Sequence, residues 1–550
     1  MDDYINIELG SSFLLNSGIL GFIRFLESNS AKVGVDYIID NQSLSVSKKY
    51  IIDNNISEMY VHTMAKLLGK QTRFYAILAK RNRVISLYEK NTEPPVEVQK
   101  ELELIFKEFA GMLEKNSFKS GYIICKSYEN IKQMDISLID SFKKEKDLIV
   151  KKELYFQLCE IVGQPQMSDV LIFKDLMYSK INMFFGTSFF LPINLKLKIE
   201  DCYLKDFVNP LINEIMSDKP KKKRCIECAE LSNDVKSISF MVDTTDDVNR
   251  KKSAYWNCKP DAFVCPVCAL MYTFVPMGFA FLGQDAVFIN NNSSIHGLIK
   301  IMSSYRDISE LNTTGSLKSR MYQAFTSDKI DMISNKINNI QVIVRSSKSS
   351  HYELSIIGKE KIKMLLLSKK YLTNIEKKYI KNGKEFISVY DEVFDNILYN
   401  RSQYTFINKL FKMELSNSTS TNYLINILNI ELIFRGGNNL ESLKKNVDIA
   451  FAVGKVMRYE LTGSVKDKEI DNSLRGLVYK LSNALSVGNR DDFLETIIRV
   501  YSGKGIAIPY IFKETYGSDE MFKAIATGFI LGLKYSKYQK EENKEVVNND

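Results

Sequence analysis

The sequence predicts an α+β protein, with an N-terminal mixed α/β region, an inserted four-cysteine zinc module and a C-terminal all-α helical bundle. Three observations predict it. Helical periodicity and short strand-like runs share the stretch up to residue 217. Two Cys-x-x-Cys pairs then sit between residues 218 and 285, a stretch that opens with a polar, charged segment up to about residue 259. Beyond about residue 430 only helical segments remain, parted by glycine-containing breaks such as Gly436-Gly437, Gly463-Ser464 and Gly488-Asn489.

Taken in order, Ile19, Phe22, Ile23 and Leu26 fall at i, i+3, i+4 and i+7, which predicts an amphipathic helix over 17–27 entered through Asn16-Ser17. Residues 33–39 and 44–51 read as strands around a turn at Asp40-Asn41-Gln42. Helical spacing returns at 57–78, 95–115 and 151–162. The basic run Lys219-Pro220-Lys221-Lys222-Lys223-Arg224 leads into the first cysteine pair, and 243–252 reads as a charged loop. The apolar run from Ala269 to Gly283 is shorter than the ~20 residues of a membrane-spanning helix and contains Pro276 and Gly278, so it is assigned to a core. Residues 340–346 and 351–357 alternate as a second hairpin, followed by a basic helix from 359 to 370. Near the end, Leu474, Leu477, Val478, Leu481, Ala484 and Leu485 form one apolar stripe. The expected domains are 1–217 (α+β), 218–285 (zinc module), 286–412 (α+β, continued), 413–536 (helical bundle) and a polar tail, 537–550. No motif recurs at a fixed period, which sets solenoid repeats aside.

A chain of 550 residues is about twice the length at which one hydrophobic core stops growing, so several domains are expected. With 45% hydrophobic and 11% aromatic residues, the composition is that of a folded protein and excludes a largely disordered one. The net charge of +9 draws polyanions only weakly, and the abundance of Asn, Lys and Ile fits AT-rich codons equally well. The opening Met1-Asp2-Asp3 is acidic where a signal peptide is basic, and the next apolar stretch is broken by Asn16, Ser17 and Gly18. A cytoplasmic protein with no membrane attachment is expected. In such a chain eight cysteines with paired spacing point to metal or thiolate chemistry instead of disulfides.

Cys225-Ile226-Glu227-Cys228 and Cys265-Pro266-Val267-Cys268 are separated by 36 residues. Each pair can bend into a knuckle that offers two thiolates to one tetrahedral ion. Four thiolates close the coordination sphere, so one structural Zn2+ held by Cys225, Cys228, Cys265 and Cys268 is expected. Cys258 is the reserve ligand. Buried free cysteines or a thioredoxin-like redox pair are the competing readings; a redox pair belongs at the start of a helix after a strand and has no use for a matching second pair.

Lys222, Lys223 and Arg224 precede the first knuckle, where phosphate contacts or a solvated linker are both in keeping with the charge. Lys66, Lys70 and Arg73 share helical spacing with Tyr60 and Tyr75 nearby, and Arg475, Lys480 and Arg490 lie in the helical end. These are the candidate nucleic-acid contacts, against the plainer reading of core tyrosines and exposed helix faces. Catalytic signals are poor. The three histidines, His62, His296 and His351, form no metal or nucleophile pattern. Gly315-Ser316-Leu317-Lys318-Ser319 lacks the first glycine and the Gly-Lys step of a phosphate loop. The acidic group Asp243, Asp246 and Asp247 reads as a solvated turn before it reads as a cation site for a nuclease. A protein that is not an enzyme is expected.

With the cysteine pairs located, the chain resembles the CXXC-CXXC type large subunit of subtype I-B CRISPR surveillance (Cascade) complexes. The resemblance rests on the two pairs, on Asn16-Ser17-Gly18-Ile19-Leu20-Gly21-Phe22-Ile23, which is similar to that family's Asn-x-Gly-x-x-Gly-Phe opening, and on the second pair running straight into an apolar segment with Pro276 and Gly278. It implies a non-catalytic subunit assembled with a guide crRNA and with backbone, handle-binding and RNA-processing subunits. Such a subunit would recognise the short motif flanking a double-stranded DNA target, help open the duplex and recruit a helicase-nuclease, with sequence reading left mostly to the guide. The resemblance further implies a small subunit made from an internal start, for which Met413 and Met457 are placed, Met413 being preferred. A stand-alone zinc-knuckle DNA-binding regulator or recombination factor is the alternative.

Overall fold

The computed structural model describes residues 3–89, 95–129, 131–133, 135–186, 197–217, 221–242, 262–283, 285–311, 339–346, 351–382, 385–413, 422–463 and 472–535. The chain divides into two compact units, one formed by Met1–Arg306 with Lys336–Ile356 and the other by Asp307–Asn335 with Ile357–Asp550. Its helices and small sheets make an α+β fold that ends in a helical region.

The first unit begins with β1 (Tyr4–Glu8), then α1 (Phe13–Ser28) capped by Ser12, whose hydroxyl accepts from the Leu15 N–H. The helix thus starts earlier than Asn16-Ser17. Both residues lie buried within it because α1 is covered on nearly every side, so its apolar stripe understates its extent. Strands β2 (Tyr37–Ile39) and β3 (Ser43–Ser47) form the expected hairpin, and β1, which the periodicity missed, joins it in the order β1-β3-β2. The second strand stops at Ser47, where α2 (Lys48–Asp53) takes over.

The expected helix over 57–78 is two helices, α3 (Ile56–Leu68) and α4 (Arg73–Glu89). Between them lies a 3-10 turn at Gly69–Gln71, where the Thr72 hydroxyl bonds back to the Gly69 carbonyl. A helical layer follows: α5 (Val96–Leu113), α6 (Asn116–Cys125), α7 (Ile136–Lys144), α8 (Leu148–Val162) and α9 (Pro165–Ser179). Its core holds Phe106, Phe109, Phe142 and Tyr155 in edge and tilted ring contacts. The short α10 (Ile199–Tyr203) and α11 (Asn209–Met216) lead into the cysteine region.

The apolar run is core, as expected, folded as α12 (Pro266–Thr273), α13 (Val275–Gly278) and β8 (Ala280–Leu282). Glycines let α1 touch it backbone to backbone. A Cβ at Gly21 would stand 2.1 Å from the Phe274 carbonyl oxygen, and one at Gly278 would stand 2.0 Å from that of Ser17. Strand β9 (Asp285–Asn290) precedes α14 (Ile295–Leu311). The later hairpin, β10 (Asn339–Ser346) with β11 (Tyr352–Gly358), completes a four-stranded sheet in the order β11-β10-β9-β8. Arg345, buried in β10, donates from Nε to the Met183 carbonyl at 3.0 Å.

In the second unit the expected basic helix is two short ones, α15 (Lys359–Leu367) and α16 (Lys369–Ile375), before the ribbon β12 (Tyr379–Asn382) and β13 (Glu385–Ser388). Then come α17 (Val389–Leu398), α18 (Gln403–Met413), α19 (Asn422–Arg435), α20 (Leu440–Thr462), α21 (Asn472–Val487), α22 (Arg490–Gly503) and α23 (Asp519–Lys534). Leu474, Val478, Leu481, Ala484 and Leu485 of the expected stripe are buried. The most closely joined pair is α20 with α23, where a Cβ at Gly454 would lie 2.3 Å from the Phe529 carbonyl oxygen. Helices α15, α16 and α18 also pack on α19, so the unit takes in residues 357–412 together with the helical end. Among the described residues no helix is long and apolar enough to cross a membrane.

Candidate metal centre

The first knuckle is a tight hairpin. Strand β4 (Lys223–Arg224) pairs with β5 (Leu231–Ser232), and the Cys225 N–H closes the turn on the Glu230 carbonyl at 2.9 Å. Ala229 takes a positive φ of 58° to complete it. The second knuckle is a strand running into a helix: β6 (Lys236–Ser237) pairs with β7 (Phe263–Val264), and Cys265 is the N-cap of α12, with Pro266 in its first turn. This is the setting expected of a redox pair, so the local context does not argue against one; the matching first knuckle beside it does. The Cys265 sulfur accepts from the Cys268 N–H at 3.5 Å. That N–H favours a thiolate at Cys265, while interaction with Cys225 first and then with Cys228 pushes its thiol up overall. The two knuckles are tied by the Ile226 N–H, which donates to the Phe263 carbonyl at 2.9 Å.

All four sulfurs lie within 4.8 Å of one another, with Cys228 and Cys265 3.7 Å apart. A tetrahedron of zinc–sulfur bonds of ~2.3 Å has edges of about 3.8 Å, so the four sulfurs are close enough to hold such an ion. Cys225, Cys265 and Cys268 are buried and Cys228 is exposed. Sharing protons in so small a space splits the thiols. Hydrogen bonds from Cys228, Cys265 and Cys268 pull Cys225 down, and its interaction with Cys225 first, then Cys228 and Cys265, pushes Cys268 up. A cation removes that conflict, because all four can then be thiolates. With four sulfur ligands no position stays open to substrate.

The other candidate contacts are spread over elements of both units. Lys222, Lys223 and Arg224 are exposed beside the first knuckle, the last two on β4. Lys66 closes α3, donating to the Ser28 carbonyl at 3.3 Å. Lys70 lies in the 3-10 turn and Arg73 opens α4, so the helical spacing that joined them is interrupted. Tyr60 is core, stacked on Tyr203 at 4.2 Å with its hydroxyl donated to the Thr273 carbonyl, whereas Tyr75 is 40% exposed. In the second unit Arg475 is half-buried on α21 and Lys480 is exposed, while Arg490 forms an ion pair with Asp519. His62 pairs with Asp169 at 2.7 Å. Cys258, the acidic group at Asp243, Asp246 and Asp247, and Gly315–Ser319 lie outside the described residues.

Sequence reading missed a cleft of about 450 Å³ beside the centre, lined by β1 on one side and by the first knuckle on the other. The signal for it was faint, since β1 is a five-residue strand whose partner lies beyond α1.

Residues 218–280 match the model of a CRISPR-associated protein family, Cas_CXXC_CXXC, and the matched segment contains all four cysteines. Comparison with curated proteins and with solved structures returned no match.

Proposed function

We propose, from the premise that the chain carries a CRISPR-associated CXXC-CXXC module, that it is a non-catalytic large subunit of a subtype I-B RNA-guided surveillance complex. In this reading it works in the cytoplasm and assembles with a guide crRNA and with backbone, handle-binding and RNA-processing subunits. It takes part in recognising the motif that flanks a double-stranded DNA target, in opening the duplex and in recruiting a helicase-nuclease. The observation that carries the reading is the convergence, inside the matched segment, of four thiols at zinc-compatible spacing. The ion would be one structural Zn2+ held by Cys225, Cys228, Cys265 and Cys268. It supplies folding free energy, on the order of 10 kcal/mol in small zinc peptides, to hairpins too short to stand alone. The exposed Lys222, Lys223 and Arg224, fixed beside the knuckle, are its candidate phosphate contacts.

The same basic strand favours a second reading, a stand-alone zinc-knuckle DNA-binding regulator. Metal analysis of the full chain and of Cys225→Ser and Cys268→Ser, followed by extraction of nucleic acid from material purified through its natural partners, separates the two. One zinc per chain, lost in both variants, together with a uniform short RNA supports the guided complex. Zinc without RNA moves the assignment to the regulator, and a chain without metal sinks both.

A further inference from the structure

Among the described residues, one edge of β1 has no partner strand. In its register with β3, Ile5 faces Val46 and Ile7 faces Leu44. Flanking bonds run from the Leu9 N–H to the Gln42 carbonyl and from the Lys48 N–H to the Asp3 carbonyl, both at 2.9 Å. Hydrogen-bonded and non-bonded residues alternate along an antiparallel pair. Asp3, Ile5, Ile7 and Leu9 therefore direct their backbone groups to β3, and Tyr4, Asn6 and Glu8 direct theirs away from it. No described strand lies on that outer side, and Asn6 and Glu8 are exposed. The free edge has a defined end: the Gly10 N–H and carbonyl are both taken by the buried Asn16 carboxamide, at 2.9 and 3.0 Å. Neither proline nor lysine, the usual devices that keep an edge unpaired, occurs between Tyr4 and Glu8.

This edge lines the cleft beside the metal centre, and the cleft is acidic. Glu8 belongs to the strand itself and Glu227 and Glu230 to the first knuckle, while the one lysine of the lining, Lys221, pairs with Glu214 at 3.3 Å. Carboxylates around unpaired backbone groups repel phosphate and attract cations. We infer that the outer edge of β1 accepts an extended Lys- or Arg-rich segment of a partner protein as an added strand. The main chain of that segment bonds to Tyr4, Asn6 and Glu8, and its basic side chains meet Glu8, Glu227 and Glu230. The inference is independent of the guided-complex reading, since it rests on the edge and the charge of its cleft alone.

The test uses the full-length, metal-loaded chain with two blocked octapeptides, one alternating Lys and Val and one alternating Glu and Val. Binding of the Lys-Val peptide slows hydrogen exchange at the Asn6 and Glu8 amides at least tenfold, and its affinity falls as salt rises. Asn6→Pro deletes one outward donor at a position where an edge strand tolerates proline. The double variant Glu8→Lys with Glu230→Lys reverses the charge and leaves the backbone intact. Each weakens the Lys-Val peptide at least tenfold while metal content and circular dichroism stay unchanged. The inference is overturned by unchanged exchange at saturating peptide, by equal binding of the Glu-Val peptide, or by full affinity in both variants. Protection that grows with chain concentration in the absence of peptide also overturns it, because the occupant is then a second copy.

Discussion

Lys174 sits in α9 with no exposed surface, and burial pushes its ammonium down to about 8 from the ordinary lysine range. Between that value and the unfolded one the denatured chain holds a proton that the native chain lacks, so stability rises with pH across this window. Denaturant titrations from pH 7.5 to 10.5 are expected to show that rise, and Lys174→Met to flatten it while raising stability at the acidic end. A slope that survives in Lys174→Met assigns the effect to another group. The metal ligands behave differently at the same scale. Their residue types and spacing were readable because each pair is local, two sulfurs within one turn of chain. What no spacing conveys is the partner of a distant charge. Arg490, read as a candidate nucleic-acid contact, pairs with Asp519, which belongs to another helix.

Among elements, the contact of α1 with α12 and α13 depends on the absence of side chains where the helices cross. Gly21→Ala would force a carbon onto the Phe274 carbonyl oxygen, which neither backbone can evade by a rotamer change. A loss of roughly 2–3 kcal/mol is expected, measured as a lower denaturation midpoint with an unchanged slope. Gly111→Ala, where the added carbon meets nothing within 4 Å, is the control and should be neutral or slightly stabilising. Element types were legible where one face is buried. That holds for α5 and α8, and for α21, whose apolar stripe matches its buried face. They were not legible where burial is complete. The run after Cys268 has no polar face to give it a period, so its change from helix to β8 could not be seen, and β9 and β10 pair across a span of chain that no local pattern bridges. The break between α3 and α4 escaped because it is short: the 3-10 turn at Gly69–Gln71 and the extended Thr72 interrupt the helical spacing for only four residues.

For the whole molecule, the second unit sets the terms for any product begun internally. A start at Met413 removes Phe406, Ile407, Leu410 and Phe411, all buried on α18, and strips Glu431 of its bonds from the Ser402 hydroxyl and the Gln403 N–H. Each such apolar side chain is worth ~1.5–3 kcal/mol, so a fragment from Met413 is expected to melt at least about 10 °C below one from Ile357. Equal midpoints in differential scanning calorimetry would mean that α18 adds little to the bundle. A start at Met457 falls inside α20 and discards Gly454, at the crossing with α23. The crossing of α1 with α13 also has a consequence in time. Gly18 and Gly21 leave the ribosome about 250 residues before the segment that covers them, an interval of roughly 10–50 s at ordinary rates of synthesis. Through that interval one of the most apolar helices of the chain is made and has nowhere to go, so nascent chains halted before Met271 should be held by chaperones and those halted beyond β11 released.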